Sequence, residues 1–204
     1  MAKSIGILIF DDVEELDFVG PWEVLTMANE VAAHQGVAPV HDVKLIAQTD
    51  APVRCAKGMR VLPDLTTAAC DKLDILLVPG GQGTRREVLN PALLTWIATI
   101  AATAEWVTSV CTGSLLLCAA GPARGKRVTT HWAFVETLRA RHEAAEVVAN
   151  CRYVCDGNLV TAAGISAGID MALWLTGEIH GADFARIVQR AMQYDPAPPY
   201  TGLT

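Results

Sequence analysis

Five apolar runs of strand length punctuate the chain, at Ser4–Phe10, Val43–Gln48, Ile75–Pro79, Trp106–Val110 and Asn158–Ala162. Hydrophobicity within them is continuous rather than alternating, which predicts strands covered on both faces, as in a parallel sheet. Between the runs, apolar residues return at helical spacing. Val24, Leu25, Ala28 and Val31 follow Gly20-Pro21, which predicts a helix opened by Pro21 in its tolerated first turn. Leu93, Leu94, Ile97 and Ile100 follow Asn90-Pro91 in the same way. Further helices are predicted over Thr112–Ala120, stopped by Gly121-Pro122, and over His131–Arg141, Ala167–Ile179 and Phe184–Met192. Alternating strands and helices without an internal repeat predict an α/β sandwich around an open, mostly parallel sheet. Such sheets bind ligands beyond the carboxyl ends of their strands, so the residues just after each strand are where chemistry is sought.

A length of 204 residues suits a single domain, residues 1–204, able to bury its own core without disulfide or metal staples. With 51% hydrophobic and 19% charged residues, the composition argues against disorder. The 16 basic and 22 acidic residues leave a net charge of −6, and no basic block exceeds Arg124-Gly125-Lys126-Arg127. That surface suits neither nucleic acid nor a membrane, so the expected partners are small molecules and further copies of the chain. The apolar run Ile5–Phe10, cut off by Asp11 and Asp12, is too short for a signal-peptide core or a membrane span. Six cysteines without an export signal point to reduced thiols in a cytoplasm. Cys151 and Cys155 lack further ligands at short spacing, which argues against zinc. They read, with Cys55, Cys70 and Cys118, as small apolar residues.

Cys111 is different, because it directly follows the strand Trp106–Val110 and precedes a helix, with Ser109 and Gly113 two residues to either side. Small residues there are what a sharp strand–nucleophile–helix turn needs. The helix behind it offers unpaired N–H groups and a positive dipole end, which lower a thiol pKa. The flanking pattern alone leaves a packing cysteine equally open. Gly164-Ile165-Ser166-Ala167-Gly168 matches the serine-nucleophile pattern, but His180 is the sole histidine after it and stands on a predicted helix. Close packing of a helix start on the sheet is the better reading of those glycines. Pro79-Gly80-Gly81-Gln82-Gly83 ends a strand and fails the dinucleotide fingerprint, since Arg86 stands where its third glycine belongs. It can instead present a backbone N–H from Gly81 beside Cys111. Asp17 falls in the loop before the first helix, followed by Phe18-Val19-Gly20-Pro21, a setting that desolvates it and raises its pKa. His131, beside Trp132, is either a base or a satisfied half-buried histidine, while His34, His41 and His142 read as surface residues.

The segments "LDFVGPWEVL", "VPGGQGT", "VTSVCTGSLLLCAAG", "GKRVTTHWAF", "DGNLVTAAGISAGIDMAL" and "QYDPAPPY" together resemble the ThiJ/PfpI superfamily, and within it most closely the isocyanide hydratase branch. The resemblance spans Ile5 to Tyr200 and implies a single-domain flavodoxin-like three-layer α/β sandwich with a nucleophile elbow, the class I glutamine amidotransferase-like fold. It implies that Cys111 is the nucleophile and Asp17 the acid beside it. It also implies that backbone amides of Gly81 and Thr112 line the site, and that an isocyanide is hydrated to an N-substituted formamide without metal or organic cofactor. A homodimer in the cytoplasm is implied as well. The substrate's side group is expected near His131, Trp132 and Ile165. The chain departs from many superfamily members in carrying Thr112 where a histidine follows the cysteine. AraC-type regulators share the same block but carry a helix-turn-helix domain downstream, for which this chain is too short. Two other readings follow from the resemblance: a redox-responsive sensor, and a glyoxalase or deglycase, for which glutamate would be expected at Asp17.

Overall fold

The computed structural model describes residues 2–196, so residues 197–200 of the "QYDPAPPY" segment lie outside the described residues. In chain order the first half runs β1 (Lys3–Leu8), α1 (Glu15–His34), β2 (His41–Ala47), β3 (Val53–Arg54), β4 (Arg60–Val61), β5 (Leu65–Thr66), β6 (Ile75–Val78), α2 (Thr84–Glu87) and α3 (Pro91–Ala101). The second half runs β7 (Trp106–Val110), α4 (Gly113–Ala120), β8 (Arg127–Val128), α5 (Val135–Arg139), β9 (Glu146–Val147), β10 (Tyr153–Asp156), β11 (Leu159–Ala162), α6 (Ala167–His180) and α7 (Ala182–Ala191). One seven-stranded sheet has the order β10-β11-β7-β6-β1-β2-β5. Only the β10–β11 pair in it is antiparallel. This is the mostly parallel three-layer α/β sandwich expected. Ile5, Ile7, Leu8, Ile75, Leu76, Val78 and Val110 are buried to 1% exposure or less, because helices cover both faces of the central strands.

After β1 the chain turns outward to β2, then returns to place β6 on the other side of β1. Strand order therefore reverses between β1 and β6, and a crevice opens there at the carboxyl ends. Asp17, the Gly80-Gly81 turn and Cys111 follow β1, β6 and β7 respectively.

Three expectations are corrected. The first helix does not open at Pro21: α1 begins at Glu15, and Pro21 lies inside it, unable to donate to the Asp17 carbonyl. Tertiary packing outweighs that lost bond. Pro21 is buried against α6, where a Cβ on Gly168 would stand 3.2 Å from Pro21 Cγ, and the helix start is tied down by Glu14 N–H donating to Gly80 O at 3.0 Å. The stretch expected as one helix over His131–Arg141 is instead a 3-10 turn, Trp132–Phe134, followed by the short α5. His41, expected at the surface, is 2% exposed. Its Nδ1 donates to Leu25 O at 2.9 Å, so its Nε2 accepts from His180 Nε2 at 2.9 Å. His34 and His142 are exposed as expected.

Candidate active site at the strand-order reversal

Cys111 terminates β7 with φ of 55°, a left-handed conformation that a non-glycine residue adopts only under constraint. The constraints are visible. Its N–H donates to Ala162 O at 2.9 Å, extending the β7–β11 ladder by one residue. Its carbonyl accepts from Thr130 Oγ1 at 3.0 Å and Ser114 Oγ at 3.3 Å. Gly164 lies flat against it, since a Cβ there would stand 2.5 Å from Cys111 Cβ. The small flanking residues have separate reasons: Gly113 abuts the Val78 carbonyl, and Ser109 is fully buried in the sheet. The turn holds the thiol at the head of α4, 7% exposed.

Asp17 stands in the first turn of α1 rather than in a loop, and is completely buried. Its Oδ2 accepts from Gly80 N–H at 3.0 Å, while Oδ1 has no hydrogen-bond partner. Burial is the chief reason its pKa rises to about 7; Glu14 adds to the rise, and the Gly80 N–H opposes it. Each of the two groups, Asp17 and Cys111, shifts the other's proton affinity. The thiol is pushed up to about 12, first by burial and then by the Asp17 charge, against the opposing Thr112 N–H and hydroxyl. This corrects the expectation of a lowered thiol pKa. The dipole of the eight-residue α4 does not offset desolvation and an adjacent carboxylate. Burial thus favours the protonated form of both groups, and the thiol holds its proton more tightly than the carboxyl does.

The glycine turn is arranged differently from expectation. The Gly81 N–H, expected to face the reacting atoms, donates to Thr112 Oγ1 at 3.1 Å and is occupied there. Gly80 is the residue against the site. Its N–H holds Asp17, and a Cβ on it would stand 2.5 Å from Thr112 N and 2.9 Å from Cys111 Cβ. Thr112 is 2% exposed; its hydroxyl donates to Gly81 O at 3.3 Å, and its N–H and hydroxyl both act to lower the proton affinity of the thiol. Sequence reasoning thus missed Gly80, Gly164 and Thr130. The first two sat in the quoted glycine motifs, and their signal was the doubled glycine and the glycine before Ile165. Nothing local marked Thr130.

The remaining candidates spread out. Ile165 follows Gly164 across a cis peptide, one residue from the Cys111 backbone contact. His131 does not join Cys111 and Asp17: its Nδ1 accepts from Ala133 N–H at 3.4 Å, and its ring packs beside Trp132 and Phe134. Trp132 is 79% exposed and lines a neighbouring cavity of about 300 Å³ with Thr130, Cys151 and Ala163. Ser166 of the rival serine motif is exposed and accepts from Arg152, with no histidine against it. Among the described residues no three His, Cys, Asp or Glu side chains converge on a possible metal position, and no helix is long and apolar enough to cross a membrane.

Comparison with known proteins places this geometry. The model of the DJ-1/PfpI family matches residues 3–177. An isonitrile hydratase of Pseudomonas putida is 42% identical over 200 residues, which cover 98% of this chain and 82% of that protein. The HTH-type transcriptional regulator GbdR of Pseudomonas aeruginosa is 29% identical, over 95% of this chain but 51% of the regulator. Among solved structures, a ThiJ/PfpI family protein from Pseudomonas syringae superposes with a TM-score of 0.87 at 28% identity, covering 98% of this chain and 78% of that one. DJ-1beta of Drosophila melanogaster shares the fold, with a TM-score of 0.80 at 22% identity over 96% of this chain and all of that one.

Proposed function

The chain belongs to the DJ-1/PfpI family, and on that premise we propose that it hydrates organic isocyanides to N-substituted formamides, with Cys111 as nucleophile and Asp17 as proton carrier. The observation that carries this reading is the buried Asp17 carboxyl, one oxygen held by Gly80 and the other unpartnered, set beside a thiol at a strand–helix elbow. The 42% identity to an isonitrile hydratase supports the choice of substrate.

An isocyanide carbon accepts a nucleophile and becomes basic as it does so, so sulfur and a proton must be delivered to the same atom. A thiol paired with a carboxylate of pKa about 7 suits that demand. Asp17 takes the thiol proton as the C–S bond forms and passes it to the carbon, giving an S-linked thioimidate, R–N=CH–S–Cys111. The carboxylate is then free to remove a proton from water. Hydroxide adds to the carbon, and the proton moves through Asp17 to nitrogen. Collapse to the formamide breaks the C–S bond, and the hydroxyl proton returns through Asp17 to the sulfur. One water is consumed and the thiol is restored. Thr112 N–H and hydroxyl stabilise negative charge on sulfur as it leaves. No step calls for a metal or an organic cofactor. Ile165 follows Gly164, which packs on Cys111, and His131 and Trp132 follow Thr130, which bonds the Cys111 carbonyl; these are the residues proposed to meet the substituent. A homodimer belongs to the same reading, and light scattering tests it.

The assay is direct: the protein is mixed with an aryl isocyanide and formamide is followed by absorbance. Turnover by the parent and none by Cys111→Ala is expected; full turnover by Cys111→Ala excludes the mechanism. The sensor reading requires an accessible thiol of low pKa. A Cys111 that is 7% exposed and pushed up to about 12 weighs against it.

A further inference from the structure

A cavity of about 380 Å³ opens between α6, α7 and the edge strand β10, and neither Asp17 nor Cys111 lines it. Two helix faces build it. Leu173, Trp174, Gly177 and Glu178 recur at helical spacing on α6, and Ala182, Ala185 and Arg186 do so on α7. Where the helices meet, the side chains are small, and a Cβ on Gly177 would stand 3.5 Å from Ala185 Cβ. Aromatic rings supply the walls. Trp174 packs on Tyr153 of β10 with 5.7 Å between ring centroids, and Tyr194, beyond the end of α7, lines the same space.

The charged groups on this cavity are of two kinds. Asp170 is satisfied, since both the Tyr194 hydroxyl and Arg152 donate to it. Glu178 and Arg186 are not: both stand exposed at the rim, and among the described residues neither makes a hydrogen bond or an ion pair. Glu178 lies in the last turn of α6, where the carbonyl end of the helix dipole disfavours a carboxylate and favours a cation beside it. Arg186 offers a planar fork of donors that matches a carboxylate. One unpaired anion and one unpaired cation, on facing helices around aromatic walls, complement a ligand carrying both charges and an apolar body. We propose that this cavity binds a free α-amino acid with an aromatic side chain, its ammonium on Glu178, its carboxylate on Arg186 and its ring against Trp174 and Tyr153. The site is separate from the isocyanide chemistry and does not rest on it.

The test is calorimetric titration of the whole chain with L-phenylalanine, and with analogues that each lack one recognised feature. Phenethylamine keeps only the ammonium, phenylpropanoate only the carboxylate, and glycine both charges without the ring. Saturable binding of one phenylalanine is expected, with each analogue weaker by about tenfold or more, the cost of one lost charge-assisted bond or of the buried ring. Glu178→Gln and Arg186→Gln should each weaken phenylalanine by a similar factor. Asp183→Asn removes a charge from α7 outside the cavity and should leave its affinity at the parental value. Both rim side chains are exposed, so their variants should keep the parental melting temperature and any loss is a loss of binding. Absence of saturable phenylalanine binding overturns the proposal. So does an analogue that binds as tightly as phenylalanine, or an Asp183→Asn loss equal to those of the rim variants, which would mark a general charge effect.

Discussion

Two couples of titratable side chains are built to different rules: His41, paired with His180, opens β2, whereas Cys111, beside Asp17, follows the carboxyl end of β7. Both ring nitrogens of His41 are occupied, one by Leu25 O and the other by His180 Nε2 at 2.9 Å. Asp17 and Cys111 are deliberately incomplete. Asp17 Oδ1 has no partner, and the thiol is held by backbone constraint in a left-handed turn. Burial perturbs all four pKa values, so a perturbed pKa alone does not distinguish structure from chemistry. What distinguishes buried Asp17 from buried His41 is the unspent hydrogen-bonding capacity of Asp17 Oδ1.

The largest expected break in this contrast is kinetic. Asp17→Asn keeps an oxygen for the Gly80 N–H but cannot carry a proton, so formamide turnover should fall by about 10²- to 10⁴-fold, read from kcat. His41→Phe should leave kcat unchanged. It strands the His180 N–H and removes the second donor to Leu25 O, and should lower stability by about 1–3 kcal/mol in urea unfolding. A comparable loss of kcat in both variants would dissolve the distinction.

The couples also respond to pH with opposite signs. Asp17 has a folded pKa of about 7 against an ordinary 3.8, so its contribution to stability is full below the ordinary value and is lost as pH rises towards 7. Asp17→Asn has no such loss and should be more stable than the parent at about pH 8, by about 1–3 kcal/mol, in urea unfolding. The histidines are held below the ordinary 6.5, mainly by burial, with Lys3 also acting on His180. Their contribution is present above that value and is lost as pH falls. A smaller effect follows: His41→Phe should flatten the parental decline in stability on the acid side of 6.5, visible in melting temperature against pH. Turnover should rise with pH through about 7 as Asp17 becomes a carboxylate able to take the thiol proton. An acid limb near 4 would mean an unperturbed carboxylate and count against the assigned proton carrier.

Much of the architecture was legible because the central strands are buried on both faces and so read as unbroken apolar runs. β10 escaped because Tyr153–Asp156 forms an edge strand of mixed burial, without that signature. The start of α1 escaped because Pro21 reads as an opener, and only its packing against α6 lets it stand inside a helix. His41 escaped because it heads the polar-looking "HDVKLIA", where no local signal announces Leu25 and His180 as partners. At the site, Cys111 was marked by its own turn. Its neighbour Asp17 is distant in sequence and could be paired with it only through the family resemblance. The choice of Gly80 rather than Gly81 as the amide that holds Asp17 depends on the backbone rotation of the turn, which sends one N–H to Asp17 and the next to Thr112. Adjacent letters do not encode that rotation.

The central claim is that Cys111 forms a bond to the isocyanide carbon during turnover. Acid quenching of the protein during steady-state turnover of an aryl isocyanide, followed by peptide mass analysis, tests it directly. The account predicts a Cys111 peptide heavier by the whole mass of the isocyanide, present only while substrate remains and absent from Cys111→Ser. Continuing formamide production with Cys111 unmodified throughout would contradict it.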